Sequence, residues 1–256
     1  MSESLPVLTF HSIDDRASVI SFSRDVFRLG MAKLAANGFR TIDLMAAVGI
    51  VRSGAPFPDR SIVITFDDGY RNTFDEAFPI LRRYGMTATV FVTVGGASGD
   101  GRGRMPSLNG REMLSREEMR EMHASGLIRF GAHTLTHRDL TRASAEDVET
   151  EMRDSKARLD EILGAHATVT AFAYPFGRYD EQARSIAGRH FECACSDRLG
   201  LLTAQSDVLA LERVDAYYLR TERLFDRLLH ESFPRYVWAR SVARRLRRAL
   251  ANRLRE

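Results

Sequence analysis

Residues Ser61–Phe66 read SIVITF, and Asp67-Asp68-Gly69 follows without a break. A nearly continuous apolar, β-branched run of this length suits a strand buried on both faces, as in a parallel sheet covered by helices. The two carboxylates then stand at a strand C-terminus, where parallel α/β folds keep their functional groups. Neighbouring carboxylates there need not point the same way, so one can bind a metal while the other stays free as a base. Gly69 lets the chain turn sharply and lets a ligand approach the backbone. Asp-Asp-Gly is also an ordinary turn signal, so its chemistry depends on what accompanies it.

Working outward, the same strand-then-helix rhythm repeats. Val7–His11, Ala88–Val94, Leu127–Gly131, Thr168–Tyr174, Phe191–Cys195 and Leu211–Ala216 read as further strands. Helical periodicity covers Asp25–Asn37 behind Ser23, Asp43–Val48, Thr73–Tyr84 before Gly85, and Ser115–Ser125 with a Ser115/Glu118 capping box. It continues over Ser144–Leu163 before Gly164, Asp180–Arg189, Thr221–His230 and Val237–Arg255. Ser12–Ser18 is a polar stretch, and Gly95–Gly110 reads as a long loop, either a substrate lid or disorder. No Lys-Ser/Thr follows its glycines, so it is no phosphate cradle. Strand and helix alternate at least six times with no internal linker or repeat. That pattern predicts one α/β domain with a mainly parallel sheet, barrel or open.

Composition fits this reading: 256 residues, 44% hydrophobic and 28% charged, enough for a large core. Cys193 and Cys195 are too close for an ordinary disulfide and have no second pair to complete a zinc cage, so they read as small buried strand residues. Met1-Ser-Glu-Ser-Leu-Pro6 lacks the basic and apolar regions of a secretory signal, and no apolar run reaches membrane-spanning length, so a cytoplasmic location is expected. The net charge of +3 is unevenly placed: residues 235–256 hold eight arginines and one glutamate, or +7, which leaves the rest at −4. The body is therefore no general polyanion binder, and no nucleic-acid reading motif accompanies the tail's charge.

The second chemical signal is His133-Thr-Leu-Thr-His137, just after the predicted strand Leu127–Gly131. Two imidazoles four residues apart can converge on one ion if the chain turns between them. One Asp with two His makes a three-ligand set that leaves open positions for water and substrate, and the second Asp is then a ready general base.

Taken in order, Thr65-Phe-Asp-Asp-Gly69 and His133-Thr-Leu-Thr-His137 resemble the first two motifs of the polysaccharide deacetylases, the NodB-homology enzymes of carbohydrate esterase family 4. Thr9-Phe-His11 is similar to the Tyr-His near the start of many members. Ala173-Tyr-Pro-Phe-Gly177 resembles the third motif, and Leu211-Glu-Arg-Val-Asp215 a late strand of one branch. The resemblance spans roughly Pro6 to Tyr218. It implies a distorted (β/α) barrel with fewer than eight regular repeats, and a divalent metal, usually zinc, on Asp68, His133 and His137. It makes Asp67 the catalytic base and places a backbone oxyanion donor at Phe176. The implied activity is removal of acetyl groups from an N-acetylated sugar or polysaccharide. A non-sugar amide hydrolase and a non-catalytic glycan-binding relative are the alternatives, and an intact Asp67 argues against the latter.

Two departures from the family pattern set expectations. The third motif usually carries an Arg two residues before its Pro to orient the base; here that residue is Ala173, and Arg213 is expected to replace it. The family's late Leu-x-His, which supplies the general acid, is superficially matched by Leu228-Leu-His230. His230 reads as a helix-surface residue, so His11, at the end of the first strand, is the better acid. A catalytic domain over residues 1–220 and a basic helical extension over 221–256 are expected. Trp238, Val242, Leu246, Leu250 and Leu254 recur every four residues among the arginines. That amphipathic pattern suits either an anionic membrane surface or a helix packed on the barrel, so residues 235–256 are also the place to expect a peripheral membrane or protein contact.

Overall fold

The computed structural model describes residues 1–95, 107–164 and 168–253. The chain opens with β1 (Val7–Phe10), the two-residue strands β2 (Ser12–Ile13) and β3 (Ser21–Phe22), α1 (Arg24–Ala36), β4 (Arg40–Thr41) and α2 (Leu44–Ser53). It continues through β5 (Ser61–Phe66), α3 (Phe78–Tyr84), β6 (Ala88–Val92), α4 (Arg116–Ala124), β7 (Ile128–Ala132) and α5 (Ala145–Leu163). The last part runs through β8 (Ala171–Ala173), α6 (Glu181–His190), β9 (Cys193–Leu199), β10 (Leu211–Asp215), α7 (Glu222–Phe225) and α8 (Phe233–Arg253). The strands β5 to β10 pair in sequence, and β1 pairs with both β5 and β10. Every ladder is parallel, so seven strands close into a barrel, one short of the regular eight. The expected distorted (β/α) barrel is what forms.

The doubly apolar strands follow from this closure. In β5, Ile62, Ile64 and Phe66 face the surrounding helices, while Val63 faces the barrel interior with Val7 of β1. Successive strand side chains point to opposite faces, so a strand with helices outside and a filled barrel inside has no polar side. Helix α2 packs Leu44, Ala47, Val48 and Val51 against Val7, Val63, Cys193 and Leu211, and so plugs the end of the barrel where the strands begin. Each such side chain contributes roughly 1.5–3 kcal/mol through burial. Asp43 caps α2 by accepting from Met45 N at 2.8 Å, and the left-handed Gly54 ends it. The capping box forms as the sequence predicts: Ser115 N donates to Glu118 Oε2 at 2.7 Å and Glu118 N donates to Ser115 Oγ at 3.1 Å.

Three segments differ from expectation. The polar stretch Ser12–Ser18 contributes β2, and the β2–β3 ribbon is pinned by a buried pair, with Arg111 Nε 3.1 Å from Asp14 Oδ2. Thr73–Tyr84 is regular α-helix only from Phe78. The first turn, Thr73–Ala77, is wider, and Pro79 has no N–H to continue the i→i−4 ladder. Thr221–His230 is not one helix: α7 passes into a tight 3₁₀ turn over Asp226–Leu229, and His230 is extended. The three-residue period of that turn brings Phe225 and Leu228 to one side. There Phe225 seats on Gly30 of α1, where a Cβ would fall 2.6 Å from the ring. The glycines of the Gly95–Gly110 loop from Gly96 to Gly103 lie outside the described residues.

Candidate active site

The strand C-termini open into a cleft of about 230 Å³, lined among others by His11, Asp67, Asp68, His133, His137, Phe176 and Arg213. The structure thus brings every predicted site residue into one cleft. His230 is not among them; it lines a separate cavity with Ser2, Asn37 and Pro58, towards the strand N-termini.

Asp67 and Asp68 diverge because the chain reverses hand between them and the following glycine. Asp68 has φ +73° and Gly69 φ +83°, and a Cβ on Gly69 would lie 2.8 Å from Val92 Cγ1. Asp67 faces inward onto Arg213, whose Nη1 and Nη2 donate to Asp67 Oδ1 and Oδ2 at 2.7 Å each. Both side chains are 5% exposed. Burial pushes the Asp67 carboxyl up, and the Arg213 guanidinium, helped by His133 and His11, more than offsets it. The acid is therefore held ionised below its ordinary range. Arg213 is itself fixed: its Nε donates to Ser196 O at 3.1 Å. His11 Nε2 lies 3.9 Å from Asp67 Oδ2, too far for a hydrogen bond and near enough for charge coupling.

Asp68 points the other way. Its Oδ1 is 3.4 Å from His133 Nε2 and 3.2 Å from His137 Nε2. Burial raises the Asp68 carboxyl, and the hydrogen bonds of the two imidazoles outweigh this and hold it well below the usual carboxylate range. The His133 Nδ1 sits 2.7 Å from Ala173 O, and a carbonyl can only accept. Nδ1 is thus a protonated nitrogen, and Nε2 is directed towards Asp68 and His137, the arrangement by which outer hydrogen bonds orient a metal-binding imidazole. One carboxylate and two imidazoles with ligand atoms all within 4.8 Å of one another fit a divalent cation.

The loop that returns His137 to this point is strained and buttressed. Thr134 and His137 both have positive φ, +66° and +58°. Glu151 of α5, 7% exposed, accepts from Leu135 N at 2.8 Å, Thr136 N at 3.0 Å and Thr136 Oγ1 at 2.6 Å. Sequence reasoning missed Glu151, although a glutamate on the apolar stripe of an amphipathic helix is a visible signal. Opposite, Pro175-Phe-Gly177 makes a tight turn in which Phe176 has φ +58° and packs its half-exposed ring on His137, with centroids 4.7 Å apart. Tyr70 lies beneath Asp68; its hydroxyl accepts from Asn109 Nδ2 at 3.0 Å and hydrogen-bonds Asp68. Arg244 reaches the rim from α8. Tyr70, Asn109 and Arg244 gave no local sequence signal, because segments far apart in the chain bring them together here.

The chemistry assembled here is a buried ionised carboxylate held by Arg, a carboxylate–imidazole cluster suited to a cation, and an imidazole between them and solvent. Comparison with known proteins agrees. Residues 54–190, more than half of the chain, match the family model described as polysaccharide deacetylase. YxkH of Bacillus subtilis (strain 168), which carries a polysaccharide deacetylase designation, is 30% identical over 211 residues, 82% of this chain and 70% of that protein. The poly-beta-1,6-N-acetyl-D-glucosamine N-deacetylase of Staphylococcus aureus (strain MSSA476) is 29% identical over 130 residues, 47% of this chain but only 42% of that enzyme. The Streptococcus pyogenes deacetylase PplD, solved with acetate, superposes with a TM-score of 0.72 at 26% identity, covering 84% of this chain and 93% of that one. With its strands closed into a parallel barrel and its motifs gathered at one end, this chain belongs to the polysaccharide deacetylase family of hydrolases.

Proposed function

We propose that this chain is a metal-dependent carbohydrate N-deacetylase that hydrolyses the acetamide of an N-acetylated glycan. The observation that carries the reading is the division of labour in the Asp pair: Asp68 with His133 and His137 on one side, Asp67 with Arg213 on the other. Asp68, His133 and His137 would hold the ion, and their N/O donor set suits Zn²⁺ without excluding other divalent ions. When bound, the ion supplies a water of lowered pKa and polarises the acetyl carbonyl.

The chain's own residues do the rest. Asp67, ionised by Arg213, accepts the proton of the attacking water. Arg213 fixes the orientation of that carboxylate, since its Nη1 and Nη2 each hold one of the two oxygens. The Phe176 N–H donates to the oxygen that becomes anionic in the tetrahedral intermediate. His11, on the solvent side of Asp67, gives a proton to the departing nitrogen. The cleft is smaller than the ~300–1,000 Å³ of sites that engulf a whole ligand. It therefore takes the acetylated end of one residue while a longer glycan lies across the rim. The N-acetylglucosamine polymer named for the staphylococcal relative makes β-1,6-linked N-acetylglucosamine oligomers the first substrate to try.

Acetate release from a panel of acetylated glycans, paired with metal analysis of the purified protein, tests this. The expected result is one bound divalent ion per chain, release that stops with chelator, and recovery on adding metal. Release that is indifferent to chelation would overturn metal dependence. Bound metal with no release from any substrate would favour a binding module.

A second observation bears on the tail. Helix α8 buries Phe233 and Val237 but leaves Trp238 and Leu246 66% and 61% exposed, one on each side of half-buried Val242. Arg235, Arg245 and Arg247 are exposed around them. No described helix is long and apolar enough to cross a membrane. This supports peripheral contact with an anionic bilayer, in which the apolar strip enters the headgroup boundary between arginines. Flotation with phosphatidylglycerol vesicles should capture the protein, and a Trp238→Ser/Leu246→Ser double variant should stay behind. Equal behaviour of the two would remove the idea.

A further inference from the structure

The catalytic cleft has a wall that the barrel shares with the C-terminal helix. Asp197 of β9 and Arg244 of α8 both line it. Arg244 Nη2 donates to Asp197 Oδ2 at 2.6 Å, and Nη1 donates to the Asp197 carbonyl oxygen. One guanidinium therefore grips a residue by side chain and backbone together. The pair is about one-quarter exposed, 24% for Arg244 and 26% for Asp197, so it is shielded from water more than a surface ion pair.

What Asp197 touches gives this grip its meaning. A Cβ on Gly177 would lie 2.1 Å from Asp197 Cβ and 2.3 Å from Asp197 N. The Pro175–Gly177 turn is thus pressed directly onto the Asp197 backbone. That turn carries Phe176 in a left-handed conformation, which costs on the order of 1 kcal/mol or more for a residue with a side chain and persists only where its surroundings impose it. One residue earlier in β9, Ser196 O accepts from Arg213 Nε at 3.1 Å. The Ser196–Asp197 stretch in the middle of β9 is therefore the common support of two elements of the site: the turn that presents Phe176, and the arginine that holds Asp67.

We propose that Arg244 is a positioning residue for the deacetylation reaction, and that α8 is a structural part of the active site. By clamping Asp197 through its carbonyl and carboxylate, Arg244 fixes this part of β9 against Gly177 and so sets the position of the Phe176 N–H. Arg244 itself does not touch the reacting atoms; both of its Nη atoms are directed at Asp197. The catalytic consequence rests on the reading of Phe176 as the oxyanion donor; the clamp itself does not.

Two measurements on the full chain separate these levels. Hydrogen–deuterium exchange of the peptide spanning residues 174–180 is compared in the wild type, Arg244→Ala, Arg244→Gln and Arg247→Ala. Arg247 is exposed on the same helix and serves as the control. Exchange is expected to accelerate in both Arg244 variants and to stay unchanged in Arg247→Ala. Steady-state acetate release is then expected to show kcat down roughly ten- to a hundredfold in Arg244→Ala with KM within about twofold, the pattern of a displaced catalytic group. Arg244→Lys should recover part of the rate, since an ammonium reaches one of the two acceptors well, and added guanidinium ion should partly rescue Arg244→Ala. Unchanged exchange over 174–180 would overturn the clamp whether or not the protein turns over. A rise in KM at constant kcat would overturn positioning in favour of substrate contact by Arg244. Faster exchange with normal turnover would leave the clamp standing but overturn Arg244 as a positioning residue for the reaction, together with Phe176 as the oxyanion donor.

Discussion

The two ends of the barrel interior are built on the same strands and are opposites. At the end where the strands begin, the inward rows are Val7, Val63, Ala171, Cys193 and Leu211, sealed by α2. Burial pushes the Cys193 thiol well up, so it is a packing residue with no reactivity. Two to four positions further along, the same rows become Thr9 and His11, Thr65 and Asp67, Cys195, and Arg213. There polar groups are answered by one another: Asp67 by Arg213, His133 by Ala173 O, and Thr65 Oγ1 by Leu8 O at 2.9 Å. Backbone strain divides the same way. Among the described non-glycine residues, Asp68, Asn109, Thr134, His137 and Phe176 take positive φ at the open end, and Arg60 alone near the closed one. One end is set up for stability and the other holds strained, satisfied polar groups for chemistry.

If that contrast is right, substitutions at the two ends should separate cleanly. The largest effect is expected from Asp67→Asn, which keeps the shape and removes the proposed base. Turnover should fall by about 10³–10⁴, some 4–5.5 kcal/mol of barrier, with bound metal and melting temperature little changed. Loss of metal on the same substitution would show that Asp67 is a ligand and would break the division within the Asp pair. Arg213→Ala comes next and should hurt both ways. It leaves a buried carboxylate unpaired, which costs about 3–5 kcal/mol of stability. It also removes the main influence that lowers the Asp67 pKa. The base then protonates at a higher pH, and the acid limb of the kcat profile moves up. An unmoved acid limb with activity retained would release Arg213 from its role.

At the closed end the pattern should invert. Phe57 is 1% exposed in the cluster around α2. Phe57→Ala should cost about 3 kcal/mol or more in denaturant unfolding, as large-to-small core changes do, while kcat at a permissive temperature stays within about twofold. A comparable loss of turnover would mean that the plug communicates with the site.

The same contrast explains what could be read from the sequence. The strand SIVITF and its neighbours are legible because double burial leaves a continuous apolar signature. The candidate site is legible because His133 and His137 sit four positions apart in one loop, and Asp67 and Asp68 are adjacent. The pairing of Arg213 with Asp67 could be anticipated because a lone arginine stands out in the late strand Leu211–Asp215. Glu151 was legible in principle and overlooked. Arg244 was not legible: on an arginine-rich helix nothing local separates the one that turns inward, and only packing of Phe233 and Val237 sets that rotation. The break after Phe225 was hidden for a similar reason, since the ring's seat is Gly30, almost two hundred positions earlier.

The smallest expected effect concerns a buried charge pair at the open end that serves structure. Asp14 and Arg111 are 7% and 8% exposed, and Arg111 Nη2 also donates to Ser21 Oγ at 2.8 Å. Burial raises the Asp14 carboxyl, and hydrogen bonds from Ser12, Ser21, Arg111 and the Arg16 N–H outweigh it, leaving the group lowered to about 2. In the unfolded chain an aspartate titrates near ~3.9. A carboxylate lowered by folding adds stability that is fully present above the unfolded value and is lost as pH falls through the folded one. Asp14 therefore contributes about 2 kcal/mol at neutral pH, fading between about pH 4 and pH 2. Asp14→Asn should be less stable than wild type by about that amount at pH 7, and the gap should close near pH 2. If the gap instead persists unchanged into acid, the pair acts through its neutral hydrogen bonds alone. If turnover falls with the stability at pH 7, the ribbon it pins belongs to the chemistry, and the line between the two kinds of buried charge at the open end must be redrawn to include it.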